Sequence, residues 1–222
     1  MTDLDAARLN MVESQVRPNG ITDRRIIAAM EQVRREDFVP ERMRALAYMD
    51  EDVPLEPESS GSGRRALIEA MAFARLLQHA AIKPSDRVLL VGAGTGYGAA
   101  VVSQIAADVV ALECDPGLVR TAKRLLSAVA NVRVAEGALA AGFEAGKLYD
   151  VIVFEGRAEE VPESLLAQLA EGGRLAAVVG EADLAKGKIY TRSGKALAMR
   201  DVFDASVTAL PGLRKKKPAF VF

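Results

Sequence analysis

The stretch Asp86 to Gly98, DRVLLVGAGTGYG, constrains this chain more than any other. An apolar run, Val88-Leu89-Leu90-Val91, breaks into glycines at alternate positions, Gly92, Gly94 and Gly96, with Gly98 just beyond. Alanines and valines follow as far as Ala107. A buried strand that turns through glycines into a helix is how α/β folds present backbone to a nucleotide-like ligand. Glycine tolerates the left-handed backbone of such a turn and puts no side chain between backbone and ligand.

The remaining elements arrange themselves around that strand. Leu9, Val12 and Val16 recur at helical spacing until Pro18-Asn19-Gly20. A second helix, capped by Thr22 or Asp23, runs through Ile26, Ile27, Met30 and Val33. Residues 45 to 63, with Pro54, Pro57, Gly61 and Gly63, read as a loop, and Arg65 to Ile82 as a helix apolar almost all round. Downstream the pattern alternates: strand 87–91, helix 97–107, strand 109–113, a helix opened by Asp115-Pro116, and strands 132–135 and 149–154. A helix from Pro162 through Leu169, a turn at Gly172-Gly173 and strand 174–179 complete the series. This alternation predicts an α/β fold with a Rossmann-like, doubly wound, mostly parallel sheet. Residues 186 to 222 alternate as strands, which predicts an antiparallel C-terminal edge. The expected division is an N-terminal helical extension over 1–82 and a core over 83–222.

Composition excludes several chemistries. With 29 basic and 30 acidic residues, no global field points to nucleic acid or a membrane. Arg214 to Lys217 reads as a solvated segment. No apolar run reaches ~18 residues and no leader pattern is present, and a chain with one cysteine suits a reducing cytosol, so a cytoplasmic protein is expected. The single cysteine, Cys114, rules out an internal disulfide. With one histidine besides, no His/Cys metal cluster can form. A Ser-His-acid triad would have to use His79, which sits in LLQHAAI and reads as a buried helix end.

Two cofactor classes use this architecture. A dinucleotide fold wants G-x-G-x-x-G; here Gly92-x-Gly94-x-Gly96 is tighter, and position 97 is Tyr. The G-x-G-x-G form resembles motif I of class I S-adenosylmethionine-dependent methyltransferases. Glu113 ends the second strand, 17 residues after Gly96, where a carboxylate can accept hydrogen bonds from both ribose hydroxyls. Both classes place an acid there, so Glu113 supports adenosine binding without choosing between them.

A wider resemblance narrows the choice. Met11-Val12-Glu13-Ser14-Gln15, Gly20-Ile21-Thr22-Asp23 and Arg35-Glu36-Asp37-Phe38-Val39-Pro40 follow one pattern, continued by Ala47-Tyr48 and Pro54-Leu55. Tyr97 with Ala99-Ala100-Val101, Tyr149-Asp150-Val151-Ile152-Val153, and Pro162 to Gly180 with Gln168-Leu169 and Gly172-Gly173-Arg174-Leu175 extend it. Over residues 8 to 180 the chain resembles the protein-L-isoaspartate O-methyltransferases. The resemblance implies S-adenosyl-L-methionine as cofactor and, as partner, a protein or peptide carrying isoaspartyl sites. It implies a cofactor side made of Gly92, Ala93, Gly94, Gly96, Tyr97, Glu113, Cys114, Gly137 and Ala138. The family's substrate loop falls on residues 58–64, so that Ser60 and Ser62 take the catalytic, substrate-holding positions.

The chain also departs from the family. Where members carry an acid before motif I, it has Leu90, and where Gly-Asp-Gly follows the third strand, it has Gly137-Ala138-Leu139. Glu136 is the adjacent acid that could take over the adenine contact. Thr-Ala-Ala after the fourth strand becomes Glu155-Gly156-Arg157, on the substrate side. A Glu155 carboxylate there would repel an acceptor carboxylate unless neutralised, so Glu155 and Arg157 are expected to pair with each other or with a changed substrate. The alternatives are the same fold with another methyl acceptor, a non-catalytic descendant binding an adenosyl ligand or a protein, and a nicotinamide-dependent oxidoreductase.

Overall fold

Caps and apolar spacing set the N-terminal elements. The computed structural model describes residues 3–55, 65–144 and 146–215. Helix α1 spans Asp3–Met11 and continues through a π-helical Val12–Val16 and a 3-10 turn to Gly20, whose φ of 78° ends the run. Asp23 caps α2, Arg24–Gln32, its carboxylate accepting from the Arg25 amide. Of the two cap candidates, the structure uses this one.

The segment expected to open a long helix at Arg65 does not. Strand β1, Val53–Pro54, pairs antiparallel with β2, Ala66–Leu67, and the Leu55 amide donates to the Arg65 carbonyl at 2.9 Å. Those pairings hold the chain extended there, and helix α3 starts only at Ala70, ending at Ala80.

From Arg87 the expected alternation follows. Strand β3 covers Arg87–Val91, α4 Tyr97–Val102, β4 Asp108–Glu113, α5 Pro116–Leu125 and β5 Val132–Glu136. Strand β6 covers Tyr149–Ala158, α6 Glu163–Leu166, β7 Leu169–Val179, β8 Lys186–Ser193 and β9 Ala196–Asp204. The seven-stranded sheet has order β5-β4-β3-β6-β7-β8-β9, parallel from β5 to β7 and antiparallel at β8 and β9. The chain winds outward from β3 to β5 and then crosses back to place β6 on the other side of β3. The switch between those two directions lies at the carboxyl ends of β3 and β6, where α/β sheets bind ligands.

Two elements are longer than their sequence signals. Strand β6 continues past Phe154 to Ala158 because, after a register shift, Arg157 and Ala158 pair with Val178 and Val179. Leu169 belongs to β7 rather than to the preceding helix. The Gly172-Gly173 turn is an irregularity inside that strand, between the pairs Tyr149↔Leu169 and Val151↔Arg174.

Alternate strand residues feed opposite layers. Val88, Leu90, Val109, Ala111, Val151 and Val153 pack with α2, α3, α4 and α5. Leu89, Val91, Val110, Leu112, Ile152 and Phe154 pack with Leu139, α6 and residues 210–213. Leu90 therefore spends its side chain on the core. Asp86 joins the layers at the opposite end of β3, where its carboxylate accepts from Arg174 at 2.8 Å. Among the described residues no helix is long and apolar enough to cross a membrane.

Candidate active site at the glycine turn

The turn after β3 needs its glycines for backbone reasons first. Gly92, Gly94 and Gly96 have φ of 80°, 56° and 98°, all in the region that disfavours a Cβ. The Gly92 and Ala93 amides donate to the Leu112 carbonyl, which folds the turn over the end of β4. Gly96 then caps α4. The Gly94 amide donates to Glu113 Oε2 at 2.8 Å. The expected acid thus stands beside the expected turn.

That acid is fully engaged. Glu113 Oε2 accepts from Gly94 and from Arg65 Nη2, the latter at 2.6 Å. Its Oε1 accepts from the Cys114 amide at 2.8 Å and the Asp115 amide at 3.1 Å. A carboxylate offers about four lone-pair directions, and these donors use them. Both side chains are buried, Glu113 at 0% and Arg65 at 1% exposure. Burial alone would raise the Glu113 carboxyl; the Arg65 charge and hydrogen bond, with the Asp115 and Gly94 amides, outweigh it and hold it below the usual carboxylate range. Arg65 Nη2 also donates to the Gly92 carbonyl at 2.8 Å, so the guanidinium spans acid and turn.

The open faces of the glycines are covered as well. A Cβ on Gly92 would lie 2.4 Å from Leu210 Cδ2, and one on Gly94 would lie 2.7 Å from Leu55 Cδ1. Leu210 also faces Gly156 in β6, where a Cβ would lie 2.8 Å from its Cδ2. The cavity bordering this turn, about 520 Å³, opens between the N-terminal extension and α5, with Phe38, Pro40, Arg44, Leu55 and Arg124 on its walls. Among the described residues it meets the turn only at Thr95 and does not reach Glu113.

Glu155 lies within β6, one residue beyond Phe154, and turns inward. Its carboxylate occupies the space in front of Gly98, 2.4–2.5 Å from where a Cβ would stand. Burial pushes its pKa up to about 8; the Arg65 charge opposes the rise, and Glu113 adds to it. Glu155 is therefore mainly a neutral acid near pH 7. Its Oε1 has no hydrogen-bond partner, and neither has Arg65 Nε or the Tyr97 hydroxyl, among the described residues. Each such buried orphan costs about 1–3 kcal/mol. The expected pairing of Glu155 with Arg157 does not occur. Arg157 instead donates from Nη1 to the Gly180 carbonyl at 2.8 Å, held there by the extension of β6 along β7.

The other expected site residues divide. Ser60 and Ser62 lie outside the described residues. Tyr97 is a core residue, packed against Phe38 and Phe73 with Arg35 over its ring. Cys114 contributes its amide to Glu113, while burial, then the Glu113 charge, push its thiol up to about 11. Gly137 donates its amide to the Glu113 carbonyl, and Ala138 and Glu136 are exposed beside it. His79 stacks on Phe203 at the end of α3, and burial, then Arg200 and Arg75, lower its pKa. Sequence reasoning missed Arg65, Leu55 and Leu210. The one signal for Arg65 was a charged residue opening an otherwise apolar stretch.

The family model described as protein-L-isoaspartate(D-aspartate) O-methyltransferase matches residues 7–210. A protein-L-isoaspartate O-methyltransferase of Rhodopseudomonas palustris strain CGA009 is 38% identical over 216 residues, covering 94% of this chain and 96% of its own. The chain belongs to this family. Protein-L-isoaspartate O-methyltransferase 1 of Rhodopseudomonas palustris strain HaA2 is 39% identical over 181 residues, 81% of this chain and 71% of that protein. A solved protein-L-isoaspartate O-methyltransferase superposes with a TM-score of 0.79 at 24% identity, covering 93% of this chain and 67% of the other. A candidate enzyme of the same name from Plasmodium falciparum, in complex with S-adenosyl-L-homocysteine, superposes at 0.75 with 20% identity, covering 95% and 99%. These structures establish the Rossmann-like fold.

The family's members are S-adenosyl-L-methionine-dependent enzymes that methylate damaged aspartyl residues in proteins. The donor set for an adenosyl group is present here in Glu113 and the glycine turn. In this arrangement those groups are engaged: Glu113 is saturated by Arg65 and backbone amides, and Leu210 and Leu55 face Gly92 and Gly94, so an adenosyl group entering here would have to displace these side chains.

Proposed function

We propose that this chain acts on the carboxylate of isoaspartyl sites in proteins or peptides, with Ser60 and Ser62 holding the acceptor and the turn from Gly92 to Gly96 with Glu113 forming the cofactor side. The observation that supports this most directly is Glu113 at the carboxyl end of β4, bonded to the Gly94 amide at the switch point of the sheet. An acceptor carboxylate has an ordinary pKa of about 4 and is already ionised near neutral pH, so the chain needs no strong base. Positioning and exclusion of water are its task. That suits a chain with one histidine and one cysteine, and the free Cys114 thiol suits the cytoplasm.

Transfer of labelled methyl groups from S-adenosyl-L-methionine to an isoaspartyl peptide, against the same peptide with ordinary aspartate, tests the reading. Labelling confined to the isoaspartyl peptide is expected; equal labelling of the two, or none, removes it. A second reading is favoured by the filled glycine faces: a descendant that keeps the fold without methyl transfer. Absence of labelling together with absence of ligand binding would decide for it.

A further inference from the structure

We infer that Arg65, Leu210 and Leu55 form an intramolecular plug in the adenosyl site, so that these side chains and an adenosyl ligand are mutually exclusive occupants of one space. The inference rests on the family's site being the glycine turn, and goes beyond it by naming what competes for that site.

The charged half of the plug is Arg65. Its Nη2 contacts Glu113 Oε2 at 2.6 Å and the Gly92 carbonyl at 2.8 Å, taking the acid that a ribose diol would need. The backbone holds Arg65 in place, since its carbonyl accepts from the Leu55 amide just before the β2 pairing. That bond also brings Leu55 over Gly94.

The apolar half is Leu210. The Arg157 amide donates to the Thr208 carbonyl at 2.9 Å, and the Leu210 amide to the Arg157 carbonyl at 2.8 Å. Residues 208–210 are thereby laid along the end of β6, and Leu210 seals Gly92 and Gly156 together. Its burial is nearly complete, at 2% exposure. The plug is not perfectly satisfied: Arg65 Nε and the neighbouring Glu155 Oε1 are buried without partners among the described residues. A ligand supplying polar partners there would compete with an arrangement that leaves two groups unpaired.

Calorimetric titration of S-adenosyl-L-homocysteine into the full chain and into Arg65→Met and Leu210→Ala separates the outcomes. Arg65→Met leaves Glu113 its three amide donors, and Leu210→Ala leaves the ion pair intact, so two independent variants are available. A thermal melt without ligand confirms that each folds. The expected result is that each variant binds about tenfold tighter than the wild type or more, because less of the population is closed. Deuterium exchange supplies a second readout: the Leu210 amide of the Arg65→Met variant should lose protection when ligand is bound. Wild-type affinity equal to that of both variants overturns the plug. So does absence of binding by every variant at roughly millimolar ligand. A variant that binds S-adenosyl-L-homocysteine more tightly yet transfers no methyl group to an isoaspartyl peptide supports the plug and removes the acceptor reading, so the two failures are distinct.

Discussion

Replacing Glu155 by glutamine should stabilise the folded chain at neutral and alkaline pH and leave it little changed in mild acid. The carboxyl rises from an ordinary 4.5 to about 8, first through burial and then through the Glu113 charge, with Arg65 opposing. Below pH 4.5 the group is protonated in both folded and unfolded chains, and its contribution to stability is fully present. Between 4.5 and about 8 the unfolded chain gives up the proton while the folded chain keeps it, so stability falls as pH rises. Each pH unit in that window is worth at most about 1.4 kcal/mol, or on the order of 3 kcal/mol by pH 7. Glutamine has nearly the same shape, keeps an oxygen for the Gly98 amide and has no proton to lose. The difference in stability between variant and wild type should therefore grow from pH 5 to pH 8 and level off above it. Urea unfolding followed by circular dichroism measures this, since the chain has no tryptophan. Glu69, raised to about 7 by burial and then Asp52, titrates in the same range but is common to both proteins. A stability difference that stays constant from pH 5 to pH 9 would refute the reasoning.

Other outcomes follow from the same geometry. Gly98→Ala would set a methyl 2.4 Å from the Glu155 carboxylate. It should cost about 1–3 kcal/mol in chemical unfolding, most of it recovered when combined with Glu155→Ala in a double-mutant cycle. Asp115→Ala removes the acceptor for the Gly117 and Leu118 amides at the start of α5. A loss of about 1 kcal/mol is expected in the same assay, and no loss would show that the cap is redundant.

Much of the fold was legible because its signals are local. Arg87–Val91 is a strand in the position its apolar run marks, bounded by a turn at one end and glycines at the other. Asp23 and Asp115-Pro116 open helices for reasons contained within a few residues. The Gly172-Gly173 pair was also a true irregularity, but local chemistry could not tell a turn between elements from a kink inside a strand. Only pairing with β6 decided that. The same pairing carried β6 through Glu155 to Ala158 and sent Arg157 to Gly180 instead of to its neighbour.

The sequence by itself determined that Asp86 to Gly98 is a strand, a glycine turn and a helix start, that Glu113 belongs beside it, and which family the chain resembles. These follow from spacing, backbone freedom and motif. Whether that site is open was decided only by the tertiary structure. Arg65 reaches Glu113 across 48 residues of chain, and Leu210 reaches Gly92 across more than a hundred. Leu210 carries no local signal and Arg65 only its charge at the head of an apolar stretch, because what each does depends on a surface that exists only once the sheet is assembled. The glycines make room at the turn, and the fold chooses what fills it.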